Sequence, residues 1–252
     1  MKLCVINPNT SAIMSGKIDA AARAAAGQAS IVTLTSRHGP ASIEGHFDEA
    51  LAIPGILEHI QHYNAAHEAV DGYLIACFGD PGLAAARELS AVPVLGIAEA
   101  AMYTACLIGS RFSVVTTLSR TIPIAERLVR DYGLASRCAQ IRACDLPVAA
   151  LEETSGEARQ YLLEECRRAL DEDGSDTLVL GCAGMADLTA WLSDKLGVPV
   201  VDGVAAGVRL LETLNALQLH PAKRHDRAAP IRKPITGAFA HFSLSSASRM
   251  PS

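Results

Sequence analysis

"LIACFGDPGLAAARELSAVPVLGIAEAA", residues 74–101, has a second version in "LVLGCAGMADLTAWLSDKLGVPVVDGVAAG", residues 178–207. Each reads as an apolar strand, a Cys-x-Gly turn, a helix, an x-Val-Pro-Val strand and a further helix. Cys77 and Cys182 lie 105 positions apart, as do Gly79 and Gly184, while Pro93 and Pro199 lie 106 apart. A weaker echo links "CVINPNTS" (4–11) to "SVVTTLSRT" (113–121), each a strand ending in small polar residues before a helix. The simplest reading is two similar lobes related by duplication, with a cleft between them.

Working outward, strands are expected at Lys2–Asn7, Ser30–Thr35, Gly72–Cys77, Val92–Gly96, Phe112–Thr117, Arg137–Arg142, Thr177–Cys182 and Val198–Asp202. Several are apolar almost throughout, the pattern of strands buried on both faces. Helical segments such as Ala12–Ala26, Asp48–Ala66, Ile122–Tyr132, Gly156–Asp171 and Val204–Leu217 alternate with them. The expected fold is α/β, with two pseudosymmetric lobes, each a mostly parallel sheet flanked by helices, and the active site in the cleft between them. Residues 1–97 form the first lobe, with Cys77, completed by 203–219; residues 98–202 form the second, with Cys182. Residues 220–252, rich in Pro, Lys, Arg and Ser, read as a mobile or partly docked tail.

Half of the 252 residues are hydrophobic, enough to bury a sizeable core. A net charge of −5, without a basic stripe, argues against nucleic acid as a partner. No apolar stretch is long enough for a membrane span, and the short "LCVI" run at the start lacks the longer apolar core of a signal peptide. Seven scattered cysteines without a CxxC pair argue against a disulfide framework and for a reducing, cytoplasmic setting. No dinucleotide or P-loop fingerprint follows any strand. His59, His62 and His67 share one expected helix, with His46 nearby; a solvated or subunit-facing surface is favoured over a metal site there, because no acidic zinc motif accompanies them. "SIEGHFDEA" (42–50), with Glu44, His46 and Asp48, reads as a loop that closes over the cleft or joins subunits.

Ligands of parallel α/β sheets bind beyond the carboxyl ends of the strands, where Cys77 and Cys182 fall. Asp80 and Pro81 suit the cap and first turn of a following helix, whose field would lower a thiol pKa toward neutrality. Two cysteines facing each other suit one reaction. One removes a proton from carbon and the other returns a proton to the opposite face, while backbone N–H groups stabilise the carbanion. This scheme requires no cofactor and no metal. The plainer reading is core packing, since free cysteine is a commonly buried residue. It is the reading adopted for Cys4, Cys106, Cys138, Cys144 and Cys166; for Cys77 and Cys182 both readings stand at this point. A disulfide between those two would need an approach that opposed proton-transfer faces do not provide.

At these residues the chain resembles the aspartate/glutamate racemase superfamily, and within it the hydantoin racemases, including allantoin racemases. The carriers are "VINPNTS" (5–11), "SIEGHFDEA" (42–50), "ACFGDPGL" (76–83), "GIAEAAM" (96–102), "FSVVTTLSRT" (112–121), "LGCAGM" (180–185) and "VPVVDGVAA" (198–206). The resemblance implies a cofactor-independent two-base racemase in an assembly of several identical chains, with purine catabolism as the setting if allantoin is the substrate. Cys77 and Cys182 match both family cysteines, whereas related decarboxylases keep one. Aspartate and glutamate enzymes follow a cysteine with polar residues that hold a carboxylate. Phe78-Gly79 and Ala183-Gly184 stand there instead, which favours a neutral ring amide. Asn7, Asn9, Phe78, Gly79, Thr116, Thr117, Ala183 and Gly184 are the expected substrate contacts. Asn9 equally suits a helix cap, Thr117 a strand end and Phe78 the core. An amino-acid racemase and a non-catalytic small-molecule binding protein remain as alternatives.

Overall fold

A computed structural model describes residues 1–66, 68–151 and 156–244. His67 and the last residues of the tail, 245–252, lie outside the described residues. The first sheet contains β1 (Lys2–Asn7), β2 (Ser30–Thr35), β3 (Gly72–Ile75) and β4 (Val94–Gly96), in the order β2-β1-β3-β4. The second contains β5 (Phe112–Thr116), β6 (Cys138–Ala143), β7 (Thr177–Leu180) and β8 (Val200–Val201), in the matching order β6-β5-β7-β8. Every pairing is parallel. The helices between them are α1 (Ala12–Ala25), α2 (His46–Ala66), α3 (Leu83–Leu89), α4 (Ile97–Ile108), α5 (Ile122–Asp131), α6 (Gly156–Asp173), α7 (Thr189–Leu196) and α8 (Gly203–Ala216).

Strand alternation explains why these strands are apolar throughout. Leu3 and Val5 of β1 and Leu74 of β3 face one apolar cluster, while Cys4, Ile6, Tyr73 and Ile75 face another with Ile56 and Ile60 of α2. In the second sheet Phe112, Val114 and Val179 join the first cluster, while Val115, Leu178 and Leu180 pack with Leu162, Leu163 and Cys166 of α6. The shared cluster is completed by Ile18 of α1, Ala101 and Met102 of α4, and Val204, Val208 and Leu211 of α8. Both sheets therefore rest on one continuous interior. Cys4 and Cys166 are fully buried, as core cysteines should be. Cys106, Cys138 and Cys144 are only half-buried, at the margins of these clusters.

β3 and β7 each stop short of the cysteine to which the apolar runs extend. The last ladder hydrogen bonds are donated by Ala76 N–H to Ile6 O (2.8 Å) and by Gly181 N–H to Val115 O (2.8 Å). Both segments then turn in the same way. Cys77 O accepts from Asp80 N–H at 3.0 Å, and Cys182 O accepts from Met185 N–H at 3.1 Å. The cysteines thus leave the sheet and gain freedom to face a ligand.

The expected cap by Asp80 is corrected. α3 starts at Leu83 behind Gly82 in the left-handed region (φ 66°), without a side-chain cap. The Asp80 carboxylate, on a residue itself at φ 45°, instead accepts from Ala98 N–H (3.0 Å) and Glu99 N–H (2.9 Å) at the start of α4. Having left its own helix, it also accepts from Tyr132 O–H at 2.6 Å, tying the turn after Cys77 to the end of α5.

Part of the tail is docked. Lys223 Nζ donates to the carbonyls of Arg87, Glu88 and Ser90 at 2.8, 2.7 and 2.9 Å, satisfying groups that the end of α3 leaves open. His241 lies 3.1 Å from Glu58 of α2. No helix among the described residues is long and apolar enough to cross a membrane.

Candidate active site

Cys77 and Cys182 line one cavity of about 60 Å³, reached from equivalent strand ends of the two sheets. Asn9, Phe78, Gly79, Thr116, Thr117 and Ala183 line it with them. Asn7 and Gly184 do not. Asn7 is completely buried, and its amide donates to Asn9 Oδ1 (2.8 Å), Ser11 O (3.1 Å) and Ser15 Oγ (2.9 Å). It holds the loop rather than facing the cavity. Asn9 Oδ1 also accepts from Ser11 N–H at 2.9 Å, which fixes the side chain at the cavity wall. Thr116 is engaged with Thr121 Oγ1 (3.0 Å) and Gly181 O (3.3 Å).

The two cysteines have matching surroundings. The backbone N–H of Gly79 favours the Cys77 thiolate, and that of Gly184 favours the Cys182 thiolate. Gly184, though not on the cavity wall, therefore contributes through the thiol. The expectation of thiols poised near neutrality is corrected. Burial pushes the Cys77 thiol far above its ordinary value, against the Gly79 N–H, and the neighbouring Cys182, Glu49 and Asp80 add to the rise. Burial pushes Cys182 up to about 11, opposed by the Gly184 N–H and by the charge of Lys17. The physical reason is location. Cys77 precedes a turn, with α3 starting only at Leu83, so no helix end compensates its desolvation. Cys182 directly precedes a short 3-10 helix, Ala183–Leu188.

The 42–50 segment spans the cleft. Ile43 lines the cavity, and the Glu44 carboxylate accepts from Val148 N–H at 3.1 Å. His46 Nδ1 lies 3.4 Å from Glu49, and His59 Nε2 lies 3.1 Å from Thr35 O. No cluster of three or more His, Cys, Asp or Glu suited to a metal occurs among the described residues.

Met14, Thr121, Ile124, Ala125 and Val148 line the cavity without having been expected there, and so does Glu49, whose charge sets it apart. It begins the stripe Glu49, Ala52, Ile56, Ile60, the buried face of α2. A carboxylate at the head of an otherwise apolar stripe was the available signal. Among the described residues lining the cavity, Glu49 carries the one charged side chain.

The chain matches the family model described as Asp/Glu/Hydantoin racemase over residues 3–211. The chain belongs to that racemase family. Its members named below are isomerases, and so is this protein. It is 43% identical over 243 residues to a hydantoin racemase of Pseudomonas sp. strain NS671, covering 96% of this chain and 97% of the relative. It is 44% identical to one of Rhizobium meliloti, covering 94% and 98%. The structure superposes on that of allantoin racemase from Klebsiella pneumoniae with a TM-score of 0.93 and 51% identity, covering 96% of this chain and 99% of that one. A glutamate racemase of Bacillus anthracis shares the racemase fold at a TM-score of 0.66 and 17% identity, covering 86% of this chain and 82% of that one.

Proposed function

We propose that this racemase inverts C5 of 5-substituted hydantoins, with allantoin a strong candidate substrate, using Cys77 and Cys182 as the two proton-transfer groups. The observation that carries this reading is the pairing of two free thiols on one cavity, at equivalent strand ends of the two sheets. The names of the relatives support the substrate class.

A C5 hydrogen of a hydantoin lies between a carbonyl and a ring nitrogen. One sulfur, as thiolate, takes that proton; the C–H electrons pass into an enolate on the adjacent carbonyl. The opposite S–H then gives its proton to the other face, leaving thiol and thiolate exchanged. The Asn9 amide, the Thr117 hydroxyl and backbone N–H groups beside the cysteines are the donors proposed for the ring oxygens. Because both thiols are held protonated in the free enzyme, the thiolate forms at the cost of their raised pKa values, and Cys182 ionises more readily. The scheme uses no cofactor. A cavity whose charged lining is Glu49 suits a neutral ring better than an amino-acid carboxylate.

The same reading assigns residues 1–97 with 203–219 to the Cys77 half and residues 98–202 to the Cys182 half. It also includes assembly of identical chains in the cytoplasm; exposed Ile13, Leu107 and Ile108 support an interface.

The test follows optical rotation of one enantiomer of 5-benzylhydantoin and of allantoin, with C5 exchange in deuterium oxide. Cys77→Ser and Cys182→Ser should each lower racemisation by at least about 100-fold. Near wild-type racemisation by either variant sinks the two-base assignment, and absence of both rotation loss and exchange on both substrates sinks the hydantoin reading.

A further inference from the structure

Glu49 sits in the first turn of α2, held by its N–H to Gly45 O at 3.0 Å, and is 8% exposed. Its Oε1 is buried and has no hydrogen-bond partner. The nearest cation to that oxygen is Arg127 Nη2 at 3.8 Å, too distant for a hydrogen bond. The other carboxylate oxygen faces His46 Nδ1 at 3.4 Å. The orphan oxygen lies against Gly79, where any Cβ would collide with it, and so beside the turn that carries Cys77. A buried carboxylate oxygen left without a donor is destabilising. Such a group in a cavity wall marks the place where a ligand supplies the missing donor.

We propose that Glu49 sets substrate specificity: its unpartnered Oε1 accepts a hydrogen bond from a ring N–H of the substrate. This rests on the hydantoin reading above and deepens it. Burial raises the Glu49 carboxyl above its ordinary value, opposed by the charge of Arg127; in its ionised form it is an acceptor only, so it selects N–H and rejects a second carboxylate. A cyclic ureide offers ring N–H groups and no anionic group on the ring, which fits both demands. Glu49 takes no part in the proposed proton transfers, which belong to Cys77 and Cys182. Its contribution is made equally to ground state and transition state, and is therefore read in KM rather than kcat. Gly79 has two roles in this arrangement. Its N–H favours the Cys77 thiolate, and its missing side chain gives Oε1 room.

The experiment compares 5-benzylhydantoin with its N1-methyl and N3-methyl derivatives in the wild type, Glu49→Ala and Glu49→Gln. A hydrogen bond to a charged group corresponds to about 10- to 100-fold in kcat/KM. Wild type should lose that factor on one of the two N-methylations, mainly through KM. Glu49→Ala should lose a similar factor on the parent compound, and its N-methyl penalty should fall within threefold. Glu49→Gln, which keeps a neutral acceptor and the side-chain shape, should lie between them and decides the matter if Glu49→Ala fails to fold. A full N-methyl penalty persisting in the variants overturns the proposal, as does a wild type indifferent to both methylations. A merely structural Glu49 would lower activity without changing this ratio. Failure of the wild type to exchange the parent C5 proton is a separate result, which refutes the hydantoin reading and this proposal with it.

Discussion

Replacing Asp80 by Asn tests how the turn after Cys77 is held. Asp80 is 5% exposed and accepts three hydrogen bonds, from Ala98, Glu99 and Tyr132. The start of α4 also favours negative charge. Desolvation nevertheless outweighs these donors, with Glu99 adding repulsion, and the carboxyl is raised from 3.8 to about 7. At about 1.4 kcal/mol per pKa unit, that difference corresponds to roughly 4 kcal/mol. The folded pKa lies above the unfolded one. The contribution is therefore fully present below about 3.8 and is lost as pH rises through about 7. Asparagine has the same shape, tolerates the left-handed backbone and does not titrate in this range. Guanidinium unfolding of wild type and Asp80→Asn, at pH 4.5, 6 and 8 and constant ionic strength, isolates the effect from other carboxylates. Wild type should be the more stable at pH 4.5, and the difference should narrow by about 2–4 kcal/mol by pH 8. A difference that stays constant within about 0.5 kcal/mol, or that widens with pH, refutes the claim that burial dominates at Asp80.

Two further outcomes follow from the same contacts. Iodoacetamide labelling read by peptide mass spectrometry should modify Cys182 at lower pH than Cys77, since Cys182 is pushed up to about 11 and Cys77 further; the reverse order contradicts the ranking. Lys223→Met removes the donor shared by three carbonyls at the end of α3 and should cost about 1–2 kcal/mol in denaturant unfolding, with kcat/KM unchanged. A marked fall in kcat/KM would show that the docked tail reaches the cavity.

The paired strands and cysteines were legible because a local pattern specifies them. Two apolar runs ending in Cys-x-Gly gave β3 and β7, the loops after them and the cavity they share. What escaped the sequence depends on distant partners. Asp80 followed by Pro81 has every local mark of a helix cap, yet the amides it satisfies belong to Ala98 and Glu99. Asn7, in a strand-end motif, spends its amide on Asn9, Ser11 and Ser15. Thiol acidity was misjudged because a nearby helix start is visible in sequence, whereas desolvation by surrounding chain is not. Glu49 looked like an ordinary acidic residue of a first helical turn. Only the approach of α2 to Gly79 reveals what it faces.

The interior shared by the two sheets changes what the duplication means. Leu3, Leu74, Phe112 and Val179 pack into one cluster with α1, α4 and α8, so neither copy owns a complete hydrophobic core. A polypeptide ending after the first copy would leave much of that cluster facing water. With their interiors fused in this way, neither half buries its share of the cluster without the other. The whole body should melt in a single cooperative transition. The spacing of the two cysteines on their cavity is then set by the stiffness of a close-packed interior, and not by the swing of a hinge.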